Sequence, residues 1–314
     1  MTARQSFAVV ALALLSSQAV VARNSPISID ADSEHAASLS ARNGSISVGD
    51  RARVDGSIST RNGSIRLGEG VHAGNLNTRN GNISTAQACE LGSIDSRNGS
   101  IRLGQSSQAE SISTRNGSIS LAEGASSAAL VARNGSLNLA SQARVDGQVR
   151  SRNGAINANG GNHIEGTITT RNGPIRLLDG SQAGSDISSR NGRILIKDSR
   201  VQGNVWSRGG DIRIDEASEV HGEVAIRISE EDSWRRGGFL WFGGSRAYPE
   251  AGNIQVLDTA RIHGDLILLL PADYDEDMPR VVIAAGAQIG GDVVVDQRVE
   301  LILNGEVGGE VIRP

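Results

Sequence analysis

The residues best placed to do chemistry are arginines. An Arg-Asn-Gly triplet recurs with its first residue at Arg42, Arg61, Arg79, Arg97, Arg115, Arg133, Arg152, Arg171 and Arg190, in steps of 18 or 19 residues. Arg208, followed by Gly209 and Gly210, carries the series one step further. A repeating fold would set these guanidinium groups in a row one strand apart. Neighbours in such a row repel by about 1 kcal/mol in bulk water before salt screening. A repeating polyanion relieves that repulsion, and the planar guanidinium offers it bidentate contacts. An acidic glycan or another envelope component is the partner this pattern points to. The competing reading is structural: each Arg bonds carbonyls at its own corner and nearby acids such as Glu69, Glu110 and Glu165.

Two further groups qualify. Trp234, Arg235, Arg236, Phe239, Trp241, Phe242 and Tyr248 gather in a chain that is only 3% aromatic. Exposed, they would be a contact surface for a ligand or partner; folded back, they would shield a weak coil. Near the C-terminus Glu223, Asp265, Asp292 and Glu310 share one phase, with His221 and His263 two residues earlier. Stacked His and carboxylates have metal-ligand chemistry, but an acidic column reads more simply as a solvated face, so no metal or cofactor is expected. No nucleophile shares a phase with a base and an orienting acid, and no glycine loop opens a helix, so the chain reads as non-enzymatic. A polysaccharide lyase or hydrolase is the last alternative. The net charge of −4 favours neither a nucleic acid nor an acidic ligand, and no nucleic-acid partner is expected.

The elements that position these residues follow from the same period. With 39 Gly and few rings, the core must be built from small columns of Ile, Leu and Val, as repeat folds allow. Apolar residues lie three before each Arg, then four, six and about twelve after it: Ile58, Ile65, Leu67 and Ala73 are one set, and Ile94, Ile101, Leu103 and Ala109 another. Spacing by two is strand periodicity. Asn-Gly is expected to supply the positive φ of a tight corner, and a second glycine five before the Arg marks another. Asn-Gly also suits hairpins and an antiparallel meander. A meander, however, gives no reason for near-identical residues at every period, whereas a parallel coil stacks each residue on its counterpart. The expected fold is an all-β, single-stranded parallel β-helix of about fourteen coils, right-handed by crossover preference. Its corner should carry an Asn ladder of Asn43, Asn62, Asn80, Asn98, Asn116, Asn134, Asn153, Asn172 and Asn191.

Residues 1–22 read as a signal peptide, with cleavage after Ala19 or Ala22, and residues 23–314 as one β-solenoid domain. Corner insertions near 228–253 and 271–280 interrupt the register, and no segment is long enough to span a membrane as a helix. Cys89 is the only cysteine, so no internal disulfide forms. The location expected is the periplasm or the cell surface.

The text Arg-Asn-Gly-Ser-Ile-x-Leu, at Arg61–Leu67 and Arg97–Leu103, resembles the adhesin-like β-solenoid repeats of bacterial proteins of unknown function. The later text, Val220-His221-Gly222-Glu223-Val224 and Ile262-His263-Gly264-Asp265-Leu266, is similar to bactofilin coils. The first resemblance implies an adhesin-like β-solenoid module, for which binding or scaffolding is the expected task and export is expected from residues 1–22. The second implies a filament-forming scaffold that self-associates through its terminal coils.

Overall fold

The computed structural model describes residues 18–235 and 246–314. The chain is all-β: three parallel sheets of 15, 14 and 14 strands wind as a β-solenoid of about 15 turns, so the antiparallel meander is excluded. Its described residues fall into two compact units, divided between Val149 and Arg150.

In the first unit each turn contributes three short strands, exemplified by Ile58–Thr60, Ile65–Leu67 and His72–Ala73. Register is strict. Leu76 lies between Ile58 and Ile94, and Ile83 between Ile65 and Ile101, each pairing parallel in both directions. Strands alternate buried and exposed residues because successive side chains point to opposite faces, so the apolar spacing of two becomes a continuous inner wall. Small aliphatics suffice for it, since each coil covers the face of the next. Cys89 is buried in this wall, and burial pushes its thiol pKa up.

The two kinds of corner work differently from the sequence expectation. None of the Arg-Asn-Gly glycines adopts a left-handed φ. Consecutive corners stack too closely for a Cβ, which from Gly63 to Gly135, and again at Gly173 and Gly192, would collide with the carbonyl oxygen of the preceding corner's glycine. Positive φ occurs instead about nine residues after the Arg, at Arg51, Gly70, Ala88, Ser106, Gly124 and Gln142. There the amide turns toward the following coil, as when Ala88 N–H donates to Gln105 O at 2.9 Å and Ser106 N–H to Glu123 O at 3.0 Å. Most of these residues are not glycine and so bear the left-handed cost of about 1–2 kcal/mol each.

His35 heads the inner column that continues as Val54. Burial lowers its pKa below the ordinary 6.5, so the unfolded chain takes up a proton at a higher pH than the folded one. Stability of this end should therefore be full above pH 6.5 and fall as pH drops from there toward the lowered folded value. The His35→Val variant should lose that pH dependence. Urea midpoints measured between pH 7.5 and 5 check this, and parallel curves for the two proteins would refute it.

In the second unit the same three-strand turn continues, as in Ile187–Ser189, Ile194–Lys197 and Arg200–Val201. Ile212–Asp215 pairs directly with Ile254–Val256, so the stack closes over the first insertion without losing register. The second insertion is bridged likewise, Leu266–Leu269 pairing with Val293–Val295. The first insertion carries a short 3-10 turn, Glu230–Asp232, and an antiparallel pair, Trp234–Arg235 with Arg246–Ala247. Its base packs on the second insertion: Ile228, Tyr248 and Tyr274 form a small buried cluster with the two tyrosine rings 6.0 Å apart. The Tyr274 hydroxyl accepts from Ala251 N–H at 2.8 Å, and Arg298 donates to the Pro271 carbonyl at 2.8 Å.

Candidate polyanion-binding edge

The Arg-Asn-Gly corner is assembled from four residues, one more than the triplet. The residue before each Arg points inward and is usually a buried Thr or Ser: Thr60, Thr78, Ser96 and Thr114 in the first unit. Its hydroxyl accepts the amide of the glycine three residues on, Gly117 to Thr114 at 3.2 Å. It also donates to the glycine carbonyl of the coil below, Thr114 to Gly99 at 3.1 Å. Where Thr or Ser stands there, the corner glycine amide and the glycine carbonyl of the coil below are thus both satisfied. In the second unit Ser151, Thr170, Ser189 and Ser207 accept the corresponding glycine amides. This column escaped the sequence reading, although a Ser or Thr before most Arg-Asn-Gly triplets was visible.

The Asn residues form a head-to-tail ladder on the exterior. Asn62, Asn80, Asn98 and Asn116 each donate Nδ2–H to the Oδ1 of the Asn one coil below, all at 2.7 Å. Asn43 and Asn134 continue the ladder at either end. In the second unit Asn172 donates to Asn153 and Asn191 to Asn172, at 2.8 and 2.9 Å.

These two networks leave the arginines over. The corner carbonyl of Arg42 accepts the Asn62 amide at 3.0 Å, and that of Arg79 accepts the Asn98 amide at 3.0 Å. The ladder consumes the Asn oxygens. The acids offered as alternative partners are engaged elsewhere: Glu69 with Gln87, Glu110 with Ser93 and Glu165 with His163. Among the described residues, Arg42, Arg61, Arg79, Arg97, Arg115 and Arg133 are exposed and make no side-chain hydrogen bond or ion pair. The same holds for Arg152, Arg171 and Arg190 in the second unit. Arg208 differs, being half-buried and held by Asp232 of the first insertion at 2.6 Å. It closes the row.

Beside the arginines of the first unit runs an open groove of about 870 Å³. Arg42, Arg61 and Arg79 form one wall, and the outward side chains of Ser40, Ser59 and Asn77 form part of its floor. Short hydroxyl and amide groups under a cationic wall suit a polar, anionic chain. Backbone pairing fixes the spacing of the arginines along the edge, so the row keeps its period with nothing bound.

The aromatic group is dispersed by the structure. Tyr248 is buried, its hydroxyl bonded to the Asp273 carboxylate, so it belongs to the seam between the insertions and not to an exposed face. Its partner Tyr274 lies 26 residues on, beyond the reach of a local pattern. Trp234 and Arg235 lie in the antiparallel pair described above. Arg236, Phe239, Trp241 and Phe242 lie outside the described residues. The acidic column serves the backbone: Asp265 Oδ1 accepts the Asp292 amide and Asp292 Oδ1 the Glu310 amide, both at 2.8 Å, while Glu223 pairs with Arg227 at 2.9 Å. Among the described residues no helix is long and apolar enough to cross a membrane. Comparison with protein-family models, curated proteins and solved structures finds no match to this chain.

Proposed function

We propose that this chain is a non-enzymatic, exported envelope or cell-surface binding module, adhesin-like in use, whose arginine edge holds an acidic glycan. One observation carries the reading: a regular row of exposed guanidinium groups that the surrounding fold leaves without partners. An arginine kept for structure would bond the corner, and here the corner is satisfied by Thr, Ser and Asn instead. Polymeric anions gain most from such a row, because one chain meets several cations without paying the association cost again at each. The export reading rests on residues 1–22. Of its two cleavage points, Ala19 is favoured, since Val20–Ala22 pairs with Leu39–Ala41 as an ordinary strand and is kept only by the earlier cut.

Retention on immobilised polygalacturonate, with neutral dextran as the comparison, tests the reading. The protein should be retained at low salt and released as NaCl rises. A variant with Arg61, Arg79, Arg97, Arg115 and Arg133 all changed to Ala should lose retention while keeping its thermal midpoint, because those side chains make no bonds within the fold. Failure of the unaltered protein to bind, or binding indifferent to salt and to the five changes, overturns the proposal.

A further inference from the structure

The second unit carries a group that the acidic column did not predict. Glu219, His221 and His263 place one ligand atom each within 4.8 Å of one another. Glu219 and His221 sit two apart along one coil and face the same way, on either side of buried Val220. His263 lies one coil on, its amide bonded to the Val220 carbonyl at 2.8 Å, while the His221 amide bonds Val201 at 2.8 Å. The backbone under both imidazoles is therefore fixed. Their rings stack with centroids 4.5 Å apart and an interplanar angle of 13°. Gly222 and Gly264 follow the two histidines in register, and a Cβ on Gly264 would approach the Gly222 carbonyl oxygen to 2.7 Å, so the coils must stay close here.

Arg200 completes the arrangement from the coil below. Its Nε donates to Oε2 of Glu219 at 2.9 Å and one terminal nitrogen pairs with the same oxygen at 2.8 Å, while His221 Nε2 stands 4.0 Å from it. Those hydrogen bonds hold the Glu219 carboxyl below its usual range, so it is ionised at neutral pH. A partner that fixes a ligand from behind is what a metal site requires of its surroundings.

We propose that Glu219, His221 and His263 form a surface site for Zn²⁺ or another divalent ion that prefers imidazole, with water filling the remaining positions. Two imidazole nitrogens and one carboxylate oxygen are a favourable set for such an ion. Metal–ligand bonds of about 2.0–2.2 Å in tetrahedral geometry need donor atoms about 3.4 Å apart. Both imidazoles are exposed, and rotating them closes a gap of at most about 1.4 Å without moving backbone. Arg261 lies in register with Glu219 and Arg200 below it, so two positive charges compete with the ion. The site is consequently a moderate binder that leaves the fold independent of metal.

Titration of the full chain with ZnCl₂, followed calorimetrically and by the imidazole proton signals, tests the assignment. One equivalent should bind, shifting the His221 and His263 signals together. His221→Gln and His263→Gln should each weaken binding at least tenfold, and Glu219→Gln should weaken it less, whereas His163→Gln on another coil should change nothing. These side chains are on the surface, so circular dichroism should show every variant folded as before. No binding by the unaltered protein, or equal binding by His221→Gln and His263→Gln, overturns it.

Discussion

Gly99→Ala is expected to be among the most damaging single methyl groups that can be added to this protein. A Cβ at Gly99 would stand 1.7 Å from the Gly81 carbonyl oxygen, a backbone atom clamped between two coils. Relief requires the coils to part at that corner, which breaks the amide ladder and the Asn98 to Asn80 bond with it. Overpacking usually costs about 1–3 kcal/mol, and a clash with backbone belongs at or above the top of that range. Gly161→Ala makes the comparison sharp. Its φ is +71° with nothing within 4 Å, so only the left-handed cost of about 1–2 kcal/mol applies. Chemical denaturation should place Gly99→Ala well below Gly161→Ala in midpoint. Because coils contact only their neighbours, the loss should open the turns around residue 99 before the rest of its unit. Equal midpoints for the two variants would mean that the corner is more compliant than its packing indicates.

The second large effect is expected from Thr114→Val, which keeps shape and removes one oxygen. The Thr114 hydroxyl is the acceptor for Gly117 N–H and the donor to Gly99 C=O. Valine leaves both backbone groups buried without a partner, at about 1–3 kcal/mol for each. Thr114→Ser should cost far less, since Ser96 already fills the equivalent place one coil below with the same two bonds. Thermal midpoints and amide exchange at Gly117 check this pair. If Val and Ser variants behave alike, the hydroxyl column does not hold the corner.

Both predictions concern the corner that presents the arginines, and so they bear on function through position. The edge is a consequence of satisfied polar groups. Ser or Thr inside and Asn outside take up the amides, carbonyls and side-chain oxygens at the turn, and the guanidinium between them is the remainder. A variant that loosens the corner should lower glycan retention along with stability, whereas exchanging Arg for Ala should lower retention alone.

How far the sequence reached differs by feature. The period of 18 or 19 residues, the parallel stacking and the Asn ladder followed from identical residues at constant phase, because only stacking of like on like gives a reason for such identity. The role of the Arg-Asn-Gly glycine was misread. Asn-Gly usually signals positive φ, yet here the glycine answers to the coil below it, a neighbour 18 residues away in sequence. The left-handed corner was missed because it is occupied by Arg51, Ala88, Ser106 and Gln142, types that carry no turn signal.

The sequence alone determined what repeats: strand, corner, ladder and the order in which arginines meet the surface. Those are columns, and a column is readable because each member sees the same surroundings. The tertiary structure decided what each column lacks or gains across coils: that the arginines are left unpaired, that Tyr248 is buried by Tyr274, and that Glu219 joins two histidines. Each of these depends on side chains 26 or more residues apart, or on which of several acids a cation can reach, and such choices are settled by distances in space that a linear pattern does not encode.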